Sequence, residues 1–248
     1  MLTPSLDSLP SRALRFVRSL RAIWPTLLRA LSVRYAGWVI MMALALYAEG
    51  RPAPHLPDVI IDRLPYVAWI DRYNHYVLAI AYLPLSVGLF FVEPARFCRY
   101  NVSAGWLSIA RGVCIAATGL GPVRGPDIHA GWFASDHGTA RYLQALWDLC
   151  SPTGLLLRDA AHIYMTKDLF FSGHTAATFL LLLYVWPFQR LRWLMLVGHI
   201  VVVASVFLAH LHYTIDVLGA YAVAYALFAW RERRGLQRQG TDTMPAPA

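Results

Sequence analysis

Three long apolar runs constrain this chain more than any other feature. Residues 172–185 (SGHTAATFLLLLYV) and 193–209 (WLMLVGHIVVVASVFLA) carry no titratable side chain except His174, Tyr184 and His199, and 213–230 holds one charge, Asp216. A helix that crosses the hydrocarbon core of a bilayer needs about 20 predominantly apolar residues. A helix on a soluble domain keeps a polar stripe facing water instead, and these runs have none. The chain is 58% apolar and 15% charged, against about 25% charged in soluble domains. An all-α membrane protein is expected.

Six transmembrane helices are expected, at residues 33–49, 75–92, 103–120, 172–187, 191–210 and 212–230. The organisation is then a basic N-terminal segment (1–32), a six-span catalytic domain (33–230) and a short tail (231–248). The long connection 121–171 is too polar to span, and its stretch 139–150 (TARYLQALWDLC) reads as a short helix lying on the membrane surface. No cleavable signal peptide is expected, because the arginines from Arg12 to Arg21 precede the first long apolar run and no short h-region with a cleavage site follows.

Basic residues set the orientation. Fourteen of the 22 lie on one side: the N-terminal arginines through Arg34, with Arg96, Arg99, Arg190, Arg192, Arg231, Arg233, Arg234 and Arg238. Seven lie on the other, and Arg111 falls within a span. Both termini are therefore expected in the cytoplasm, with loops 50–74 and 121–171 exoplasmic. The net charge of +8 reflects these flanks and does not imply nucleic acid. The basic stretch 12–34 fits either a positive-inside flank or a lipid-binding amphipathic helix. Cys98, Cys114 and Cys150 are odd in number and lack metal-ligand spacing, so neither a disulfide framework nor a metal site is expected.

Ionisable side chains inside spans are costly and mark function. His174 opens the fourth span, and His212 and Asp216 open the sixth. Because those spans run in the same direction, all three lie at one exoplasmic depth. The spacing of His212 and Asp216 places both on one helix face. A carboxylate beside an imidazole fixes its tautomer and strengthens the other nitrogen as base or nucleophile. Alone, such a pair fits a structural contact or part of a metal site as well. What favours phosphorus chemistry is Ser172-Gly173-His174, because the free N–H groups of a helix start seat phosphate. Of the other histidines, His55, His75, His162 and His199 read as interfacial residues.

These motifs carry a resemblance. The segment 168–175 (DLFFSGHT) is similar to the third signature of the sphingomyelin synthase family, and 212–217 (HYTIDV) to the fourth. The segment 55–58 (HLPD) resembles the first signature, and 96–118, with Arg111, is a looser echo of the second. The resemblance covers about residues 50–230 and places the chain in the sphingomyelin synthase-like branch of the type 2 phosphatidic acid phosphatase (PAP2) superfamily. It implies a PAP2-like bundle of six spans with an exoplasmic site. The implied activity moves a phosphocholine or phosphoethanolamine head group from a glycerophospholipid to ceramide. The implied catalytic residues are His174, His212 and Asp216. Asp168, Ser172, Gly173, Tyr213 and Arg111 are candidates for binding substrate or phosphate, with a structural pairing equally open for Arg111. No cofactor is implied, and the partners are membrane lipids.

Two departures bear on specificity. Thr166 and Lys167 replace the Cys-Gly before Asp168, and Leu211 stands where animal members carry an acidic residue; both changes are expected beside the reacting head group. The phosphatase branch of the superfamily has gripping cations that are missing here: its Lys-x6-Arg-Pro has no counterpart, and Val206 occupies the arginine position after Ser205. A hydrolase using the same residues, and a non-catalytic membrane scaffold or transporter, are the rival readings. The short, arginine- and alanine-rich chain suggests a bacterial inner-membrane protein with its site facing the periplasm.

Overall fold

The computed structural model describes residues 11–134, 137–151 and 165–242, with side-chain surroundings for 21–134, 137–151 and 165–233. Seven α-helices are described: α1 (Ser11–Glu49), α2 (Ala68–Val92), α3 (Pro94–Ala117), α4 (Gly138–Cys150), α5 (Gly173–Val185), α6 (Gln189–Leu208) and α7 (Thr214–Asp242). A single 3-10 turn, Ile61–Arg63, lies between α1 and α2, and no strand occurs among the described residues. The segment 21–49 of α1, α2 and α6 are long and apolar enough to cross a membrane, and α5 is a shorter apolar helix. α2 starts seven residues before the expected boundary. Its polar opening is less exposed than the sequence implies: Asn74 is buried, with Nδ2 3.2 Å from Ser205 Oγ on α6. α5 stops at Val185, with Trp186 still in helical backbone, because Pro187 has no N–H to continue it.

Two helix pairs form the frame. α1 and α3 run parallel and touch backbone to backbone: a Cβ on Gly105 would lie 2.5 Å from Val33 O, and one on Gly37 2.3 Å from Gly105 O. Small residues permit this approach, which is how helices associate where burial of apolar surface gives no driving force. α2 and α6 run antiparallel, Asn74 meeting Ser205 and Ala81 meeting Gly198. α5 is inserted against α6 and α7, and its buried face (Leu180, Leu181, Tyr184) packs with Tyr100, Met195 and Ala220.

The two ends of the bundle differ in charge. At one, Arg96 lies 5.6 Å above the Phe188 ring, Arg99 is 3.8 Å from Glu232, and Arg192 lies over Trp186 and Trp193. At the other, Glu49, Asp168, Ser172 and Asp216 come together through the contacts described below. Arg34 is not a free member of the basic flank. It donates to Ala104 O (2.9 Å) and Ser108 Oγ (3.3 Å) and helps join α1 to α3.

Two expectations need correction. α4 does not lie apart from the bundle on a surface. It packs antiparallel along α1, with Tyr142 OH donating to Ala43 O (2.7 Å) and Tyr35 OH to Cys150 O (2.6 Å). These anchors are about 12 Å apart along α1 at 1.5 Å per residue. An amphipathic pattern states that one face is apolar, not what it packs on; here it buries Ala145 and Leu149 against Leu46. His199 is also not interfacial. It is buried between three helices, its Nδ1 2.8 Å from Thr178 Oγ1 on α5 and its Nε2 2.8 Å from Tyr221 OH on α7. His162 and Arg158 lie outside the described residues.

Candidate active site

The site begins where α7 starts. Asp216 is the third residue of that helix, and its Oδ2 accepts the Tyr213 N–H at 2.9 Å. A carboxylate at this position reaching back to the residue before the helix is one half of a capping box. It fixes the start of α7 at Thr214, so His212 precedes the helix and does not share a helical face with Asp216 as the spacing predicts. The turn brings the two together instead: His212 Nδ1 is 3.4 Å from Asp216 Oδ2, and both side chains are buried. Neither His212 Nδ1 nor Asp216 Oδ1 has a hydrogen-bond partner among the described residues. With Nδ1 turned to the carboxylate, Nε2 is the nitrogen left for chemistry.

The start of α5 is built against this turn. The Ser172 N–H donates to Asp216 O at 3.0 Å, so the two motifs are joined through the backbone. Ser172 Oγ then caps α5 by accepting the Thr175 N–H at 3.4 Å. The N–H groups of Gly173 and His174 have no acceptor among the described residues. The His174 and His212 rings face each other at 6.3 Å between centroids, inclined by 64°. Thr175 Oγ1 is buried here and has no hydrogen-bond partner among the described residues.

Arg111 lies directly under this helix start. Its Nε donates to Phe171 O (2.7 Å), and its Nη2 donates to Asp168 O (2.5 Å) and Asp168 Oδ2 (3.1 Å). Nη1 touches the Met41 sulfur at 3.4 Å. The structural pairing left open from the sequence is therefore present, with Asp168 as the counter-ion. The guanidinium also reaches Gly173: a Cβ there would be 3.0 Å from Cζ. Glycine leaves the cation room here that a Cβ would press upon.

Tyr213, a binding candidate, has its hydroxyl engaged elsewhere. It donates toward Gly121 O and Pro122 O (3.2 Å each) and accepts the Leu56 N–H at 3.1 Å. Asp58, the last residue of the HLPD segment, holds the start of α7, accepting from Thr214 N (2.5 Å) and Thr214 Oγ1 (2.9 Å). Burial pushes the Asp58 carboxyl up, but the hydrogen bonds from Thr214, Ile61 and Ile60 outweigh it and hold it below its ordinary value. Lys167 is turned away from the histidines. Its buried ammonium donates to Arg51 O (2.7 Å) and Asp127 Oδ1 (2.5 Å), because the bond from its own N–H to Glu49 Oε2 (2.8 Å) turns the chain toward the end of α1. An apolar groove of about 360 Å³ lies beside Tyr213, lined by Leu56, Asp58, Ile60, Ile215 and Leu218 among others, and no histidine lines it.

Comparison with known proteins agrees with the motifs. Residues 166–233 match the family described as PAP2 superfamily C-terminal. Phosphatidylcholine:ceramide cholinephosphotransferase 1 of Homo sapiens is 28% identical over 191 residues, covering 71% of this chain and 44% of the relative. Phosphatidylcholine:ceramide cholinephosphotransferase 2 of Homo sapiens is 28% identical over 188 residues, covering 71% and 49%. The chain spans less than half the length of these curated relatives.

Proposed function

For a chain that carries a PAP2 superfamily C-terminal segment and resembles sphingomyelin synthase-related proteins, we propose a membrane-embedded lipid phosphotransferase. It moves a phosphocholine or phosphoethanolamine head group from a glycerophospholipid to ceramide or a similar lipid alcohol. The observation that carries this reading is the pair of facing imidazoles, one backed by buried Asp216 and the other on a helix start with unused N–H groups.

The chemistry runs in two steps. His212 Nε2 attacks the donor phosphorus while Asp216 stabilises the charge that develops on the ring. The phosphorus–oxygen bond to diacylglycerol breaks, and the leaving alkoxide takes a proton from His174. The acceptor hydroxyl then gives its proton to His174 and attacks the phosphorus, and the bond to His212 breaks. The Gly173 and His174 N–H groups seat the phosphoryl oxygens. Arg111, though committed to Asp168, adds positive potential beneath them.

In the membrane, α1, α2, α3, α5, α6 and α7 form six spans in alternating directions. The arginine-rich end faces the cytoplasm, and the histidines face the exoplasmic side, which is the periplasm in a bacterial inner membrane. Purified protein given head-group-labelled phosphatidylcholine or phosphatidylethanolamine, with and without ceramide, tests the reading. Ceramide-dependent labelled phospholipid is expected. Free phosphocholine or phosphoethanolamine irrespective of ceramide would establish a hydrolase, and no turnover of either donor would end the reading.

A further inference from the structure

We propose that Glu49, at the end of α1, is a positioning residue for His174, acting through the backbone of residues 166–172. Its side chain is fully buried. Oε1 accepts from Thr166 N (2.9 Å) and Thr166 Oγ1 (2.7 Å) and lies 2.7 Å from His129 Nδ1. Oε2 accepts from Thr166 N (3.0 Å) and Lys167 N (2.8 Å). A carboxylate at the C-terminal end of a helix meets the negative end of the dipole, and burial adds desolvation. Only converging donors make such a group tenable, so these contacts are energetically coupled to its charge.

The segment that Glu49 holds leads straight to the site. Glu49 fixes Thr166 and Lys167, Arg111 fixes the carbonyls of Asp168 and Phe171, and the Asp216 carbonyl takes the Ser172 N–H. Three helices, α1, α3 and α7, thus clamp seven consecutive residues whose end sets the direction of His174. Glu49 touches neither histidine. Replacing its carboxylate by an amide leaves the shape and sets an NH2 group against N–H donors, freeing the upstream end of the clamp.

The proposal rests on His174 acting as the acid of the proposed function. An acid matters most when the leaving group is poor and little when it is good. The readout is the ratio of two rates on one sample: diacylglycerol release from phosphatidylcholine, and nitrophenolate release from p-nitrophenylphosphocholine. That ratio is independent of how much of the preparation is folded. A general acid contributes about 10²–10⁴-fold, so a displaced one in Glu49→Gln should lower the ratio by about 10-fold or more. Thr166→Val, which loses the hydroxyl donor and keeps the Thr166 and Lys167 N–H groups and the His129 contact, should lower it less. Tyr142→Phe, which removes the α4 bond to Ala43 O but no partner of Glu49, should leave it unchanged. A wild-type ratio in both Glu49→Gln and Thr166→Val, with a collapsed ratio in His174→Ala, would overturn the role of Glu49 alone. An unchanged ratio in His174→Ala would remove the acid itself, and the proposal with it.

Discussion

Placing a methyl group on Gly173 tests the packing on which the phosphate seat depends. The Cβ of Gly173→Ala would lie 3.0 Å from Arg111 Cζ, 3.1 Å from Nε and 3.3 Å from Nη1. These contacts are tighter than real Cβ contacts ordinarily are, so the guanidinium must give by a few tenths of an ångström. It is held by Phe171 O at 2.7 Å and Asp168 O at 2.5 Å, and cannot retreat without dragging that segment. Overpacking of this kind costs about 1–3 kcal/mol, and the helix propensity of alanine offsets up to about 1 kcal/mol. A net loss of about 1–2 kcal/mol is expected, with turnover down roughly 10- to 100-fold because the displaced segment carries His174. Because the clash is with one side chain, it should vanish when that side chain is shortened. In an Arg111→Leu background, Gly173→Ala should cost no stability, giving a coupling of about 1–3 kcal/mol. Unfolding of the four detergent-solubilised proteins, followed by tryptophan fluorescence, measures it. Additive effects of the two substitutions would show that Gly173 is not there to admit Arg111.

Three further outcomes are expected. Asp58, with its lowered pKa, contributes stability that is present above its unfolded value and lost as the pH falls through the folded one; Asp58→Asn should flatten that acid limb in unfolding scans, and an unaltered limb would assign it to another group. Tyr213→Phe strands the Leu56 N–H and should cost roughly 1–3 kcal/mol while sparing kcat; a hundredfold drop in kcat at normal stability would return the hydroxyl to the phosphate site. In a background lacking the native cysteines, Ala140→Cys should label from outside intact cells and Arg190→Cys only after permeabilisation, and the reverse pattern would overturn the proposed orientation.

The sequence made the apolar helices and the two histidine motifs legible because both leave local marks. Apolar runs announce helices, and Ser172-Gly173-His174 and His212-x-x-x-Asp216 carry their spacing with them. What it hid was set by distant contacts. The four-residue spacing of His212 and Asp216 suggested a shared helix face, but the Asp216 carboxylate caps Tyr213 and starts the helix two residues after His212. Lys167 looked like a neighbour of the head group until its bonds to Asp127 and Arg51 O placed it under the loops. Glu49 has no local signal at all, since its partners come at positions 129, 166 and 167. His199 sits in an apolar run that says nothing of Thr178 and Tyr221 on neighbouring helices.

The central claim is that His212 carries the head group and His174 supplies the proton, and acid-quench trapping of labelled adduct tests it most directly. Wild-type protein mixed with a head-group-labelled donor should yield a phosphohistidine mapped to His212. His174→Ala should still form that adduct, slowly, from a nitrophenyl donor that needs no acid, and His212→Ala should form none. Asp216→Asn should keep the fold and lose nearly all adduct formation, because the ring is left in the wrong tautomer. An adduct on His174, or one that persists in His212→Ala, would contradict the assignment. No adduct at all from a turning-over wild type would mean direct transfer between lipids, with His212 as the base for the acceptor hydroxyl.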